Sequence, residues 1–165
     1  MMGPGKTCFF QRTRKKKKIR EFSEMFQRAA FGAGCFWGTE KFFREQFGQR
    51  LTTIGVGYMG GATPNPRYGD VCSGSTGHAE VVHMEYKESK VTYEQLVEFF
   101  YRMHDPTMKK GSQYRSTIFY FDARQLEVAK RLEGKVSGGQ NVTTLEAAGE
   151  YFRAEEYHQN YLGKF

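Results

Sequence analysis

From residue 29 onward the sequence keeps switching hydrophobic period, and that alternation limits the fold more than any other feature. "RAAFGAG" reads as a short strand that ends in glycines. "FWGTEKFFREQFG" follows with Phe36, Phe43 and Phe47 near one helical face and Gly48 as a stop. "RLTTIGVGYMGG" is β-branched and then glycine-punctuated, a strand that runs into a loop. "HAEVVHMEY" predicts the next strand, and Thr92 opens a helix with Leu96, Phe99, Phe100 and Met103 at helical spacing. "QYRSTIFYF" predicts a strand, 123–136 a helix carrying Leu126, Ala129 and Leu132, "NVTTLEA" a strand, and "RAEEYHQNYLGKF" a closing helix. The order is βαβ, long loop, βα, βα, β, α. It predicts an α+β sandwich with helices packed on a mixed sheet.

Residues 60–77, "GGATPNPRYGDVCSGSTG", are dense in Gly, Pro, Ser and Asn and predict a long irregular segment. Loops of that length inside compact domains are usually functional.

The charge is as uneven as the pattern. Residues 1–28 hold nine Lys and Arg against Glu21 and Glu24, whereas the remaining 137 residues balance 16 basic with 16 acidic groups. The basic character therefore belongs to an extension, and it gives no support to a nucleic-acid-binding surface on the domain at 29–165. "QRTRKKKKIR" repels itself, so residues 1–28 are expected to be disordered. Contact with nucleic acid or an anionic membrane through residues 12–20 is the alternative to a merely solvated tail. A nuclear-import patch fits the lysine run better than a mitochondrial transit peptide does. Read from Met2, "MGPGKT" matches a loose myristoylation pattern that Pro4 disfavours. No stretch approaches the ~18 apolar residues of a membrane helix, and no secretory h-region follows the basic start. A cytoplasmic or nuclear location is the expectation.

Cys8, Cys35 and Cys72 are an odd, sparse set without C-x-x-C spacing, which points to a reducing compartment rather than a disulfide scaffold. Cys35 sits in "GAGCFWGTE" at a helix start, where free N–H groups and the helix dipole favour thiolate. Ionisation alone accomplishes little, because a thiol of pKa ~8.5 is already ~3% ionised at pH 7. A demanding substrate needs an acid as well. A cysteine at a helix start is equally compatible with a packing thiol.

The candidate acid is Glu80. On a strand it shares a face with Val82, Met84 and Tyr86, where desolvation would keep its carboxyl protonated. The other reading has Glu80 at a frayed strand end, pointing into water. The histidines His78, His83, His104 and His158 show no metal-ligand spacing with the cysteines, and no metal or other cofactor is expected.

Five blocks then occur in order: "GCFWG" (34–38), "GYMGG" (57–61), "TPNPRYGDVCSGSTGHAEVV" (63–82), "QYRS" (113–116) and "AEEYHQNYL" (154–162). Together they resemble the peptide methionine sulfoxide reductase A family over roughly residues 30–165. The resemblance implies a two-layer sandwich with a ferredoxin-like core and thiol-dependent reduction of (S)-methionine sulfoxide, free or in proteins. It implies Cys35 as the nucleophile that becomes a sulfenic acid and Glu80 as the proton donor. Tyr58 and Tyr114 would hydrogen-bond the sulfoxide oxygen, while Phe36, Trp37, Tyr157 and His158 would line the substrate pocket.

The chain departs from that family pattern at two places in the domain. The family's longer segment before QYRS contains an aspartate, whereas here only "MKKGS" (108–112) follows "DPT". A catalytically impaired relative that acts by binding is therefore the alternative. No cysteine follows Cys72, so Cys72 or Cys8 is a possible resolving thiol. Otherwise thioredoxin, glutaredoxin or glutathione reduces the sulfenic acid directly. A monomer is expected.

Overall fold

The computed structural model describes residues 4–136 and 139–165, with side chains from residue 10 onward. The myristoylation pattern at Met2 and Gly3 and the side chain of Cys8 lie outside the described residues. Helices are α1 (Pro4–Glu24), α2 (Phe36–Phe47), α3 (Tyr68–Cys72), α4 (Tyr93–Met103) and α5 (Ala123–Glu133). Strands are β1 (Phe26–Ala33), β2 (Leu51–Met59), β3 (Ala79–Lys87), β4 (Ser116–Tyr120), β5 (Thr144–Ala147) and β6 (Phe152–Arg153).

The strands form one sheet in the order β5-β4-β1-β3-β2-β6. β3 lies antiparallel between β1 and β2, β4 is antiparallel to β1, and β5 is parallel to β4. The central β4-β1-β3-β2 order, with α2 joining β1 to β2 and α4 joining β3 to β4, is the expected ferredoxin-like core.

Local signals set these elements as read. Thr92 accepts from Gln95 N–H while the Gln95 side chain returns to Thr92 N–H, a capping box that starts α4. Asp122 caps α5 by accepting the Gln125 N–H at 2.8 Å. The alternate residues Val82, Met84 and Tyr86 of β3 bury against Phe43, Phe47, Leu96 and Phe100 on the helix side. On the other face Ala30, Met59, Ala79, Val81 and Phe119 are covered by Phe121, Ala148 and Tyr151.

Phe31 is the joint between sheet and helices. Its ring lies 5.5 Å from Phe43 of α2 and 5.3 Å from Phe100 of α4, with no solvent exposure. Phe31→Ala is expected to cost about 3–5 kcal/mol, the range for a buried ring deleted from a packed core. With a urea slope of about 1–3 kcal/mol per molar, the unfolding midpoint then falls by more than ~1 M. A midpoint within ~0.3 M of the unsubstituted protein would show that Phe31 does not couple the layers.

Two segments differ from their expected form. Residues 1–28 were expected to be disordered, yet 4–24 form α1, exposed along most of its length. Lys, Arg and Gln are good helix formers, and Lys17 meets Glu21 one turn on at 3.9 Å. Its end docks on the domain: Ser89 N–H donates to Ser23 O at 3.0 Å, and the Arg124 guanidinium covers the Phe22 ring.

The closing helix is replaced by β6 and two short 3₁₀ turns, Glu156–His158 and Tyr161–Gly163. Gln159 makes this segment follow β2 by accepting from Val56 N–H at 2.9 Å and donating to Val56 O and Ala154 O. Asn160, left-handed at φ 50°, then breaks any helical continuation. Gly57 permits the close approach, because a side-chain carbon there would collide with Phe152 O and the Tyr151 ring.

Candidate active site

The expected site residues meet at one end of the sheet, where β1 hands the chain to α2. Gly34 makes the turn at φ +87°, a conformation that L side chains rarely adopt, and Cys35 follows as the N-cap of α2. Cys35 is exposed and free, as is Cys72.

Glu80 is 1% exposed. It stands opposite Tyr58 in the β2–β3 register, on the face that carries Val82. The inward-facing reading of Glu80 is therefore the correct one. Its Oε2 accepts the Phe36 N–H at 2.9 Å and its Oε1 accepts the Gln113 amide at 2.8 Å. The carboxyl thus caps the helix that Cys35 begins, bonded to the backbone N–H of the residue that follows the thiol. Burial pushes the Glu80 carboxyl above its ordinary value, and the two hydrogen bonds only partly oppose that.

The thiol does not follow the expectation from helix position alone. Cys35 touches solvent, yet the protein crowded around its sulfur displaces enough water to raise its pKa above the ordinary thiol value. The Trp37 and Gly38 N–H groups pull it down as a helix start should, and so does Lys110, while the Glu80 charge pushes it up. The raising influences win, so the thiol in the unliganded site holds its proton more firmly than an ordinary cysteine does. A neutral Glu80 removes one of them, so the proton that the acid needs also favours the nucleophile.

The aromatic wall is built from both ends of the chain. Phe36 is buried against Tyr58 at 5.9 Å and His158 at 5.2 Å. Trp37 is partly exposed, stacks on Tyr161 at 3.9 Å, and donates its indole N–H to His158 Nδ1 at 3.0 Å. That bond leaves the neutral His158 protonated at Nε2, which is buried without a hydrogen-bond partner, 3.8 Å from Glu155. Burial lowers the His158 pKa and so favours this neutral form, although Glu155 pulls the other way. Tyr157 lies at the rim, 57% exposed, with its ring 4.0 Å from that of His158.

The two tyrosines differ in their commitments. The Tyr58 hydroxyl is buried and donates to Glu155 Oε2 at 2.9 Å, while Glu155 Oε1 accepts the Tyr68 N–H. Tyr58 must exchange that partner before it can donate to a substrate oxygen. Tyr114 is partly exposed, and burial followed by the Glu80 charge raises its pKa, so its hydroxyl keeps its proton. Cys72 lies on the same side, where its sulfur accepts the Gln113 amide at 3.4 Å.

Gln113 and Glu155 were not singled out from the sequence, although both lie inside quoted blocks. The long segment 60–77 is irregular as expected, apart from α3. His78 holds it by accepting the Gly61 N–H at 3.0 Å and meeting Thr63 O at 2.7 Å. Arg115 locks the far side with a two-pronged bond to Glu146 and bonds to the Gly77 and Ser112 carbonyls.

Known proteins resemble this chain across the domain that holds the site. The family profile described as peptide methionine sulfoxide reductase matches residues 27–165. The chain is 46% identical over 151 residues to peptide methionine sulfoxide reductase MsrA of Methanothermobacter thermautotrophicus, covering 84% of this chain and 88% of that one. It is 45% identical over 147 residues to the MsrA of Salinispora tropica, covering 81% of this chain and 66% of the relative. Among solved structures, reduced Mxr1 from Saccharomyces cerevisiae superposes with a TM-score of 0.76 at 34% identity, covering 84% of this chain and 85% of Mxr1. The same yeast protein in complex with Trx2 superposes at 0.60 with 26% identity, covering 82% and 84% of the two chains.

Proposed function

This chain belongs to the peptide methionine sulfoxide reductase family and is an oxidoreductase that reduces methionine sulfoxide, and from that membership we propose how its own residues divide the work. The observation that carries the proposal is the buried Glu80 carboxyl, bonded to the N–H of the residue that follows the exposed Cys35.

A sulfoxide sulfur is a poor electrophile until its oxygen is protonated. Glu80 in its neutral form gives its proton to that oxygen while the Cys35 thiolate attacks the sulfur. Net, one oxygen passes from substrate sulfur to Cys35 sulfur, which is oxidised by two electrons to a sulfenic acid as the substrate becomes methionine. Phe36 and Trp37 hold the S-methyl group by apolar contact, with His158 and Tyr157 at the far wall. Tyr114, and Tyr58 once it releases Glu155, donate hydrogen bonds to the oxygen as its charge grows. This handed arrangement of acid, donors and methyl wall supports selection of the S epimer.

Two external thiols complete the cycle. The first condenses with the sulfenic acid to give a mixed disulfide and water, and the second releases Cys35 as a thiol. We propose a thioredoxin-type dithiol protein in that role. The exposure of Cys35 and the yeast relative's complex with Trx2 support this. Cys72 is the internal alternative. A binding-only role gains no support, since binding has no need of a thiol tied to a buried acid.

The test is incubation with a peptide S-sulfoxide, or its R epimer, and excess dithiothreitol. Methionine is expected to form from the S peptide at least ~10²-fold faster, since the R epimer places its oxygen away from the acid. Equal rates for the epimers would sink the assigned geometry.

A further inference from the structure

Lys110 has no part in the reaction as drawn above. It lies in the segment between α4 and β4, and its Nζ is 3.0 Å from the position that a side-chain carbon on Gly34 would occupy. Gly34 is the residue immediately before Cys35, so a side chain there would contest the space that the ammonium occupies. Lys110 is exposed, and among the described residues no hydrogen bond or ion pair engages its ammonium.

The segment is anchored at both ends, which fixes the reach of this lysine. On one side His104 bonds the Phe100 carbonyl at 2.6 Å and Ser116 Oγ at 2.7 Å, and Asp105 accepts from Thr107. On the other side Arg115 is locked to Glu146, and Gln113 is held by Glu80. Lys110 is thus carried on a short span between fixed points, with the glycine turn beneath it.

We propose that Lys110 is a positioning residue for the reduction, a cation stationed over the Gly34 turn that favours negative charge on the Cys35 sulfur. The groups that face this sulfur are Glu80 from β3, Tyr114 from the turn before β4, the Trp37 and Gly38 N–H groups from α2, and Lys110. Among these groups Lys110 brings a full positive charge. The same ammonium also lowers the pKa of His104 and Asp105 on its own segment. Its charge opposes the burial and the Glu80 charge that hold the thiol neutral.

The proposal deepens the reading of Cys35 as nucleophile, but its test needs no sulfoxide. The rate of iodoacetamide labelling of the Cys35 peptide, followed by mass mapping across pH, reports the thiolate fraction directly. Lys110→Met is expected to lower that rate about 3–10-fold at pH 7.5 and to move the profile to higher pH, the response to losing a nearby opposite charge. The difference should disappear at high pH, where every thiol is ionised, and shrink in ~1 M salt, where the Debye length is about 3 Å. Lys110→Arg should retain the original profile, and Lys109→Met should not shift it. A Lys110→Met profile that superposes on that of the unsubstituted protein would overturn the proposal. So would a deficit that persists unchanged at high pH, since that indicates altered packing rather than charge. If labelling shifts as expected while no sulfoxide is reduced, the electrostatic inference stands and the catalytic reading fails.

Discussion

Replacing Cys35 with serine is expected to abolish turnover, with a loss of ~10⁴-fold or more for removal of an attacking nucleophile. Serine fits the same N-cap position and is a preferred residue there, so α2 should start as before. What is lost is the chemistry. An alcohol of that size does not ionise near neutrality, and its oxygen cannot accept a second oxygen and be recycled by thiols. The urea midpoint of Cys35→Ser should remain close to that of the unsubstituted protein. A variant that folds normally and still forms methionine would remove Cys35 from the mechanism.

The second large effect is expected at Glu80. Glu80→Gln keeps the size of the side chain and an oxygen for the Phe36 N–H, but it has no proton to give. The rate should fall about 10²–10⁴-fold, the contribution of a general acid. The pH profile carries more information than the magnitude.

Both groups have raised pKa values, Glu80 from 4.5 and Cys35 from 9.0. The reactive state has one proton between them, held by the acid. Adding a proton in acid converts the thiolate to thiol, and removing it in base leaves the acid empty, so the unsubstituted enzyme passes over a maximum and declines on both sides. In Glu80→Gln the basic limb has no carboxyl behind it. The residual activity should keep rising with pH until the Cys35 thiol, whose pKa burial raises, is ionised. A Gln variant with the original bell-shaped profile would show that another group supplies the proton.

What is legible in the sequence depends on how far apart the interacting residues lie. Period and capping placed the main elements because those signals are local: Thr92 and Gln95 meet within one turn, and Phe36, Phe43 and Phe47 all bury as their spacing required. The composition of the C-terminal segment favours a helix. Its actual path is dictated by Gln159, which reaches Val56 more than a hundred positions back. β6, two residues long, has no readable period. For α1, self-repulsion and helix propensity oppose each other, and the lysine run alone does not say which prevails.

The site shows the same division. Cys35, Glu80, Phe36, Trp37 and His158 were legible because they sit in recognisable blocks. Gln113 and Glu155 were not, since each matters only through a partner distant in sequence, Glu80 for one and Tyr58 for the other. The state of the Cys35 thiol is the clearest case. Position at a helix start points toward thiolate, but burial and a facing carboxyl outweigh two N–H groups and a lysine. Tyr58 adds a second: a donor assigned to the substrate is already engaged by Glu155.

The measurement that bears most directly on the central claim is the mass of the protein after one turnover without reductant. Equimolar peptide S-sulfoxide is mixed with enzyme, and the products are split between methionine analysis and mass mapping with a sulfenic-acid trap such as dimedone. The predicted result is one methionine per enzyme and a gain of roughly 16 Da, one oxygen, on the Cys35 peptide, which dimedone captures. If Cys72 or Cys8 resolves it, that gain gives way to a disulfide from Cys35. Methionine formed while Cys35 remains an unmodified thiol would contradict the account.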